Sequence, residues 1–288
     1  MQEKEFDALD ASLRAAGGRI IHQIWFNFKD PSGATENPLP EKFVPLREKW
    51  ITMHPDWMHV MWTDIMGNWL VYKHYPVFWY VYSAYSEPIM RVDALKVCIL
   101  HRYGGLYADM DTRCLKPIDA LLGETRERGI RVAFAKSAMA KMFGSMASNY
   151  LIFSEPQEDL WYRVMTGIIQ KSNVNAMLPK IANTFLSTGL FQIQKEIDTC
   201  TPGKYSCAYG LFDTRDVAAV KEKHVQEYIS NNDCYVIHEM ENTWVNYADI
   251  AQLVIPLLIM VLVIVIAIIT LFARHRNSNI KNTPQSIY

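Results

Sequence analysis

Two carboxylates one residue apart, Asp109 and Asp111, are the side chains in this sequence best suited to do chemistry. They close the stretch Leu106-Tyr-Ala-Asp-Met-Asp111, which reads as a strand running into a turn. Period-two geometry at a strand end points both carboxylates to one side and Met110 to the other. Paired hard oxygen donors suit Mg²⁺ or Mn²⁺, which keep coordination positions open for phosphate oxygens and water. Taken alone, an Asp-x-Asp is weak, because the same pattern is common on solvated turns. Its surroundings strengthen it. Asp93 and Lys96 lie three apart, on one face of the preceding helical stretch, and offer acceptors and donors that together suit sugar hydroxyls. On a solvated face the same pair is a surface ion pair worth little.

The elements that must position these residues are legible in outline. Val92, Leu95 and Ile99 recur at helical spacing and should face a core. Ser86-Glu-Pro-Ile reads as the start of that helix, with a hydroxyl cap and proline in the first turn. Gly104-Gly105 should end it, since glycine takes the left-handed conformation a helix end requires and lets the backbone approach a ligand. Upstream, Arg19 to Phe26 reads as a strand, Lys42 to Thr52 as a helix broken at His54-Pro55, and Trp57 to Thr63 as a second strand with a helix after Asp64. Cys234 to Ile237 reads as a late strand. This alternation predicts an α/β sandwich with a largely parallel sheet. The aromatic run from Trp69 to Tyr85 reads as helical core packing, with a membrane-facing acceptor surface as the second reading.

The chain has 288 residues, half of them hydrophobic, enough to bury a large core. Its 29 basic and 30 acidic side chains nearly cancel, which argues against nucleic acid as a partner. The five cysteines show no metal-binding spacing, and a Cys200–Cys207 disulfide stays open. Residues 1–18 form a polar N-terminal segment with no apolar leader, and 19–249 are expected to form one α/β domain. From Leu253 to Ala273 every residue but Thr270 is apolar, about the 20 residues a helix needs to cross hydrocarbon. Residues 250–273 are therefore expected to be one transmembrane helix, followed by a basic tail, 274–288. Arg274, His275, Arg276 and Lys281 in that tail place it in the cytosol by the positive-inside rule. The lack of a leader places the long N-terminal part there instead, as does the lack of an Asn-x-Ser/Thr acceptor. Both orientations stay open.

Arg91-Val-Asp-Ala-Leu-Lys-Val-Cys-Ile-Leu-His-Arg-Tyr-Gly-Gly-Leu-Tyr-Ala-Asp-Met-Asp111, followed by Cys114-Leu-Lys-Pro-Ile-Asp119, resembles one family of sugar transferases. This is the DXD-motif family of the Golgi initiating α-1,6-mannosyltransferases and the inositol-phosphoceramide mannosyltransferases. Ile21-His-Gln-Ile-Trp25, His54-Pro-Asp56 and Trp62-Thr-Asp64 fall in the family's order. Leu178-Pro179 followed by Ser187-Thr-Gly189 is similar to its inositol-phosphoceramide branch. The likeness runs from about Ile20 to Trp244.

The resemblance implies a single-domain GT-A-type nucleotide-sugar fold with a metal-dependent, retaining mannosyltransferase activity, GDP-mannose as donor, and a Golgi-type endomembrane as location. An inositol-phosphoceramide lipid is the first acceptor, and a glycan or another glycolipid the second. By the same resemblance Asp111 would be the principal metal ligand. Asp109 would contact the donor and help hold the metal, Asp93 and Lys96 would grip the transferred sugar, and Trp25 would stack on the base; a core tryptophan is its other reading. His238, Asn242 or Thr243 would complete the metal shell, from the stretch His238-Glu-Met-Glu-Asn-Thr-Trp244. Two departures stand out. Lys96 replaces the family's usual arginine and loses its bidentate fork. Ser148-Asn149-Tyr150 replaces Ser-Asn-Asp, which puts acceptor choice in question. Trp244 lies a handful of residues before the apolar run, so if its stretch closes the site, a metal there sits within about 10–20 Å of a bilayer surface. Two other classes remain: a protein- or glycan-modifying transferase using a UDP-sugar, and an inactive scaffold of the same fold.

Overall fold

The computed structural model describes residues 1–27, 37–85, 87–137, 146–175, 190–198 and 208–240. The first elements are α1 (Glu3–Ala15), β1 (Ile20–Ile24), α2 (Val44–Met53), β2 (Met58–Trp62), α3 (Asp64–His74), α4 (Pro76–Ala84) and α5 (Pro88–Tyr103). They are followed by β3 (Gly105–Ala108), β4 (Thr112–Cys114), α6 (Asp119–Glu127), β5 (Val132–Lys136), β6 (Ala147–Ser154) and α7 (Asp159–Asn175). The last are α8 (Leu190–Asp198), β7 (Tyr209–Leu211), β8 (Val217–Ala219), α9 (Val225–Asn231) and β9 (Val236–His238).

A six-stranded sheet in the order β2-β1-β3-β6-β5-β7 divides two apolar cores. Alternate residues of its strands serve opposite faces, as the pleat requires. Ile20 and Ile24 join α1, α3, α4, α5 and α7, while Ile21 and Leu106 join α2 and α6. On that second side β4, β9 and β8 form a small sheet of their own.

The main sheet is mixed rather than largely parallel. β1 is parallel to β2 and β3, but β6 runs antiparallel to both β3 and β5. A parallel return needs a crossover of about a dozen residues or more; residues 137–146 alone separate β5 from β6.

Helix α5 starts one residue later than a Ser86 cap would place it. Glu87 is its N-cap, without a side-chain cap bond, and Pro88 takes the first turn, where its missing N–H costs nothing. Val92, Leu95 and Ile99 are buried as their spacing predicts. The helix ends at Gly104 (φ 63°), and Gly105 (φ 93°) starts β3 at once. A Cβ on Gly104 would lie 2.6 Å from the Pro156 nitrogen, and one on Gly105 would strike the Ile20 carbonyl oxygen. Only glycine allows so abrupt a change from helix to central strand.

Residues 1–18 are more than a polar segment: α1 packs Phe6 and Leu13, both fully buried, into the first core. The aromatic run forms α3 and α4. Tyr75, Phe78 and Tyr82 are buried, whereas Tyr72 and Tyr80 stand 58% and 78% exposed. Among the described residues no helix is long and apolar enough to cross a membrane, and 250–273 lies outside them. So do Cys200 and Cys207; Cys98, Cys114 and Cys234 are buried and free.

Candidate active site

Strands β1 and β3 run parallel, and the chain turns at their carboxyl ends into the residues singled out above. Trp25 follows β1, and Asp109-Met110-Asp111 follows β3. Such ends are where open α/β sheets bind ligands. The acid pair lies in the turn between β3 and β4 rather than on a strand. The Asp109 amide donates to the Tyr150 carbonyl (2.8 Å), and the Thr112 amide and hydroxyl both donate to the Asp109 carbonyl (3.1 and 2.6 Å). From α2, the Trp50 indole N–H reaches the Thr112 carbonyl and hydroxyl (3.1 and 3.2 Å). Met110 is buried against Phe43 and Leu46, with Trp25 alongside. That apolar anchor fixes which way the turn faces, a task the sequence reading gave to strand pleating.

A third candidate ligand arrives from far along the chain. β9 pairs with β4 in a register that sets His238 opposite Thr112, and the Glu239 amide donates to the Asp111 carbonyl (2.9 Å). The His238 Nε2 then lies 3.1 Å from Asp111 Oδ1. Asp109, Asp111 and His238 each bring one ligand atom into a group within 4.8 Å of one another. Ligand atoms bound about 2.1 Å from one ion lie about 3 Å apart when adjacent and just over 4 Å when opposite. The group therefore fits a divalent cation with modest closure. Two carboxylates and an imidazole make a mixed oxygen and nitrogen donor set. Asn242 and Thr243 lie outside the described residues.

Asp93 and Lys96 form no surface pair. Both are buried, and the Lys96 ammonium sits 3.2 Å from Asp93 and 3.1 Å from Asp109, with the Asn149 carbonyl at 3.3 Å. Burial works against the Lys96 charge, but the Asp109 and Asp93 carboxylates outweigh it and raise its pKa. Burial raises the Asp93 carboxyl above its ordinary range, with Lys96 opposing. Three carboxylates against one ammonium leave a site with two net negative charges, matched to a divalent cation.

Three contributors escaped the sequence reading. The Tyr107 hydroxyl donates to Asp109 (2.5 Å), and the Asn149 amide donates to Asp93 (2.8 Å). The Tyr150 ring stacks on His238 with centroids 4.3 Å apart and planes 5° off parallel. Tyr107 was findable, two residues before Asp109 at strand spacing; the partners of Asn149 and Tyr150 depend on strand pairing. Trp25 is half-buried and meets Phe43 in a T-shaped ring contact, centroids 5.7 Å apart.

The family described as the glycosyltransferase sugar-binding region containing a DXD motif matches residues 40–127, which hold Asp93, Lys96, Asp109 and Asp111. The match is shorter than the Ile20–Trp244 likeness, and it includes neither Trp25 nor His238. The chain also has named relatives over part of its length. Mannosyl phosphorylinositol ceramide synthase CSH1 of Saccharomyces cerevisiae is 38% identical over 104 residues, which are 36% of this chain and 25% of that protein. Inositol phosphoceramide mannosyltransferase 3 of Schizosaccharomyces pombe is 37% identical over 108 residues, 38% of this chain and 28% of that one. The chain thus spans about a quarter of the length of these curated relatives. Among solved structures, the PaToxG glycosyltransferase superposes with a TM-score of 0.43 at 16% identity, covering 68% of this chain and 80% of its own.

Proposed function

We propose that this protein is a metal-dependent, retaining mannosyltransferase of GT-A type that moves mannose from GDP-mannose to a membrane lipid of the inositol-phosphoceramide kind. The observation that carries the reading is the convergence of Asp109, Asp111 and His238 beside the buried Asp93–Lys96 pair, at the carboxyl end of β3 and largely within the sugar-binding region. The names of the relatives supply the sugar and the lipid.

Asp111, Asp109 and His238 would hold a divalent cation, which would supply Lewis-acid charge neutralisation of a diphosphate leaving group with no protein proton donor required. Asp109 is the shared element, since its carboxylate also takes the Tyr107 hydroxyl and the Lys96 ammonium. Lys96 is thereby locked, and its charge is set against Asp93, whose carboxylate is left to accept from sugar hydroxyls. Trp25, beside Met110 of the acid turn, offers an aromatic face for the base.

A donor screen tests the proposal: release of nucleoside diphosphate from GDP-mannose, UDP-glucose and other nucleotide sugars, with Mn²⁺ and with chelator. Mn²⁺-dependent hydrolysis of GDP-mannose above the others is expected. Preference for a UDP-sugar would replace mannose in the reading, and turnover of none would leave the scaffold alternative.

A further inference from the structure

We propose that Tyr150 is the positioning residue for the nitrogen ligand of the cation site, setting the plane of the His238 imidazole by stacking. The inference rests on the reading of Asp109, Asp111 and His238 as ligands. A ligating histidine is usually oriented by a hydrogen bond at its other ring nitrogen, which fixes the ring before the ion arrives. Among the described residues no such bond reaches His238 Nδ1; its contacts are the Asp111 carboxylate at Nε2 and the Tyr150 ring on its face.

The stack does the orienting by geometry. The lone pair of an imidazole nitrogen lies in the ring plane, so an ion must lie in that plane too. Rings 4.3 Å apart and 5° from parallel leave the imidazole no room to roll toward Tyr150. Tyr150 is itself rigid: it is 3% exposed on β6, and its hydroxyl donates to the Lys136 carbonyl at 3.4 Å. The same residue accepts the Asp109 amide at its carbonyl. One strand position therefore fixes a carboxylate ligand through its backbone and the imidazole through its side chain. The imidazole is also the one nitrogen donor of the three, and Mg²⁺, a hard ion that holds oxygen ligands and water, gains less from it than a transition-metal ion such as Mn²⁺ does. Metal selectivity thus depends on Tyr150.

The test measures Mn²⁺ and Mg²⁺ dissociation constants of the metal-stripped 288-residue chain without donor, reading free Mn²⁺ by electron paramagnetic resonance and Mg²⁺ by competition. Tyr150→Phe keeps the ring and should stay within about twofold of the wild type. Tyr150→Leu should weaken Mn²⁺ binding roughly tenfold, the low end for losing a ligand's orienting partner, and narrow the Mn²⁺/Mg²⁺ ratio. In a His238→Ala background the same Leu substitution should cost less than about twofold, because a residue acting through His238 has nothing left to act on. Melting in chelator checks that each variant folds, and Tyr150→Met, similar in bulk but without a ring, replaces Leu if it does not. Unchanged Mn²⁺ affinity in the ringless variant, or an equal loss in both backgrounds, overturns the role of Tyr150. Wild-type affinity in His238→Ala alone is a different result, and removes His238 from the ligand set.

Discussion

Asp111 and His238 touch across the acid turn, yet they differ in how replaceable each is. Asp111 stands in a turn held by backbone bonds, Trp50 and Met110, none of which uses its carboxylate. Asp111→Ala should abolish Mn²⁺-dependent donor hydrolysis while melting within a few degrees of the wild type. Full activity in a folded variant with metal present would remove it as a ligand. Trp25 asks a different question, since it already packs against Phe43 in a T-shaped contact. If its face holds a base, Trp25→Ala should weaken nucleoside diphosphate binding by roughly 1–3 kcal/mol, the usual worth of base–aromatic stacking. Calorimetry with GDP decides, and unchanged affinity would make Trp25 a packing residue only.

Between elements, β1, β2 and the end of α5 are tied through one fully buried histidine. His22 accepts from the Trp62 indole N–H at Nδ1 (3.1 Å) and donates from Nε2 to the Gly104 carbonyl (2.9 Å), which fixes the neutral tautomer. Burial pushes its pKa down to about 4, the bond to Gly104 opposing. The unfolded chain takes a proton at His22 near pH 6.5, and the folded chain resists until about 4. Stability from this group is therefore complete above pH 6.5 and lost as pH falls toward 4. At about 1.4 kcal/mol per unit, the loss is roughly 3 kcal/mol over that window. His22→Gln, which can accept from Trp62 and donate to Gly104, should lose correspondingly less between pH 7 and pH 4.5 in urea denaturation. Identical pH slopes would mean that His22 is hydrated in the folded state.

At the scale of the whole molecule, the prediction concerns the apolar run from Leu253 to Ala273. Every residue given a donor or metal role above precedes it. A chain ending at Asp249 should hydrolyse GDP-mannose at close to the full rate. Transfer to inositol phosphoceramide in vesicles should fall sharply, because tethering confines enzyme and head group to one thin layer and truncation discards that effective concentration. Transfer to a soluble head-group analogue should hardly change. Equal losses with both acceptors would indicate misfolding, and no loss with vesicles would argue against a membrane acceptor.

The sequence by itself determined what is local. The buried stripe Val92, Leu95, Ile99, the glycine pair that ends α5 and the turn bearing Asp109 and Asp111 all follow from spacing and backbone chemistry within a few residues. The match to residues 40–127 is legible for the same reason, being one unbroken stretch. Tertiary structure alone decided the rest. That β6 runs antiparallel between β3 and β5 depends on which strands meet, and alternation of strands with helices leaves that open. That Asp93 and Lys96 are a buried pair rather than a surface one depends on what covers them, which i,i+3 spacing does not encode. His238 becomes a neighbour of Asp111 through the pairing of β4 with β9, and Tyr150 becomes a neighbour of His238 through its place on β6. Spacing fixes neighbours along one element, whereas contacts between elements far apart in the chain form only when a shared core closes over them.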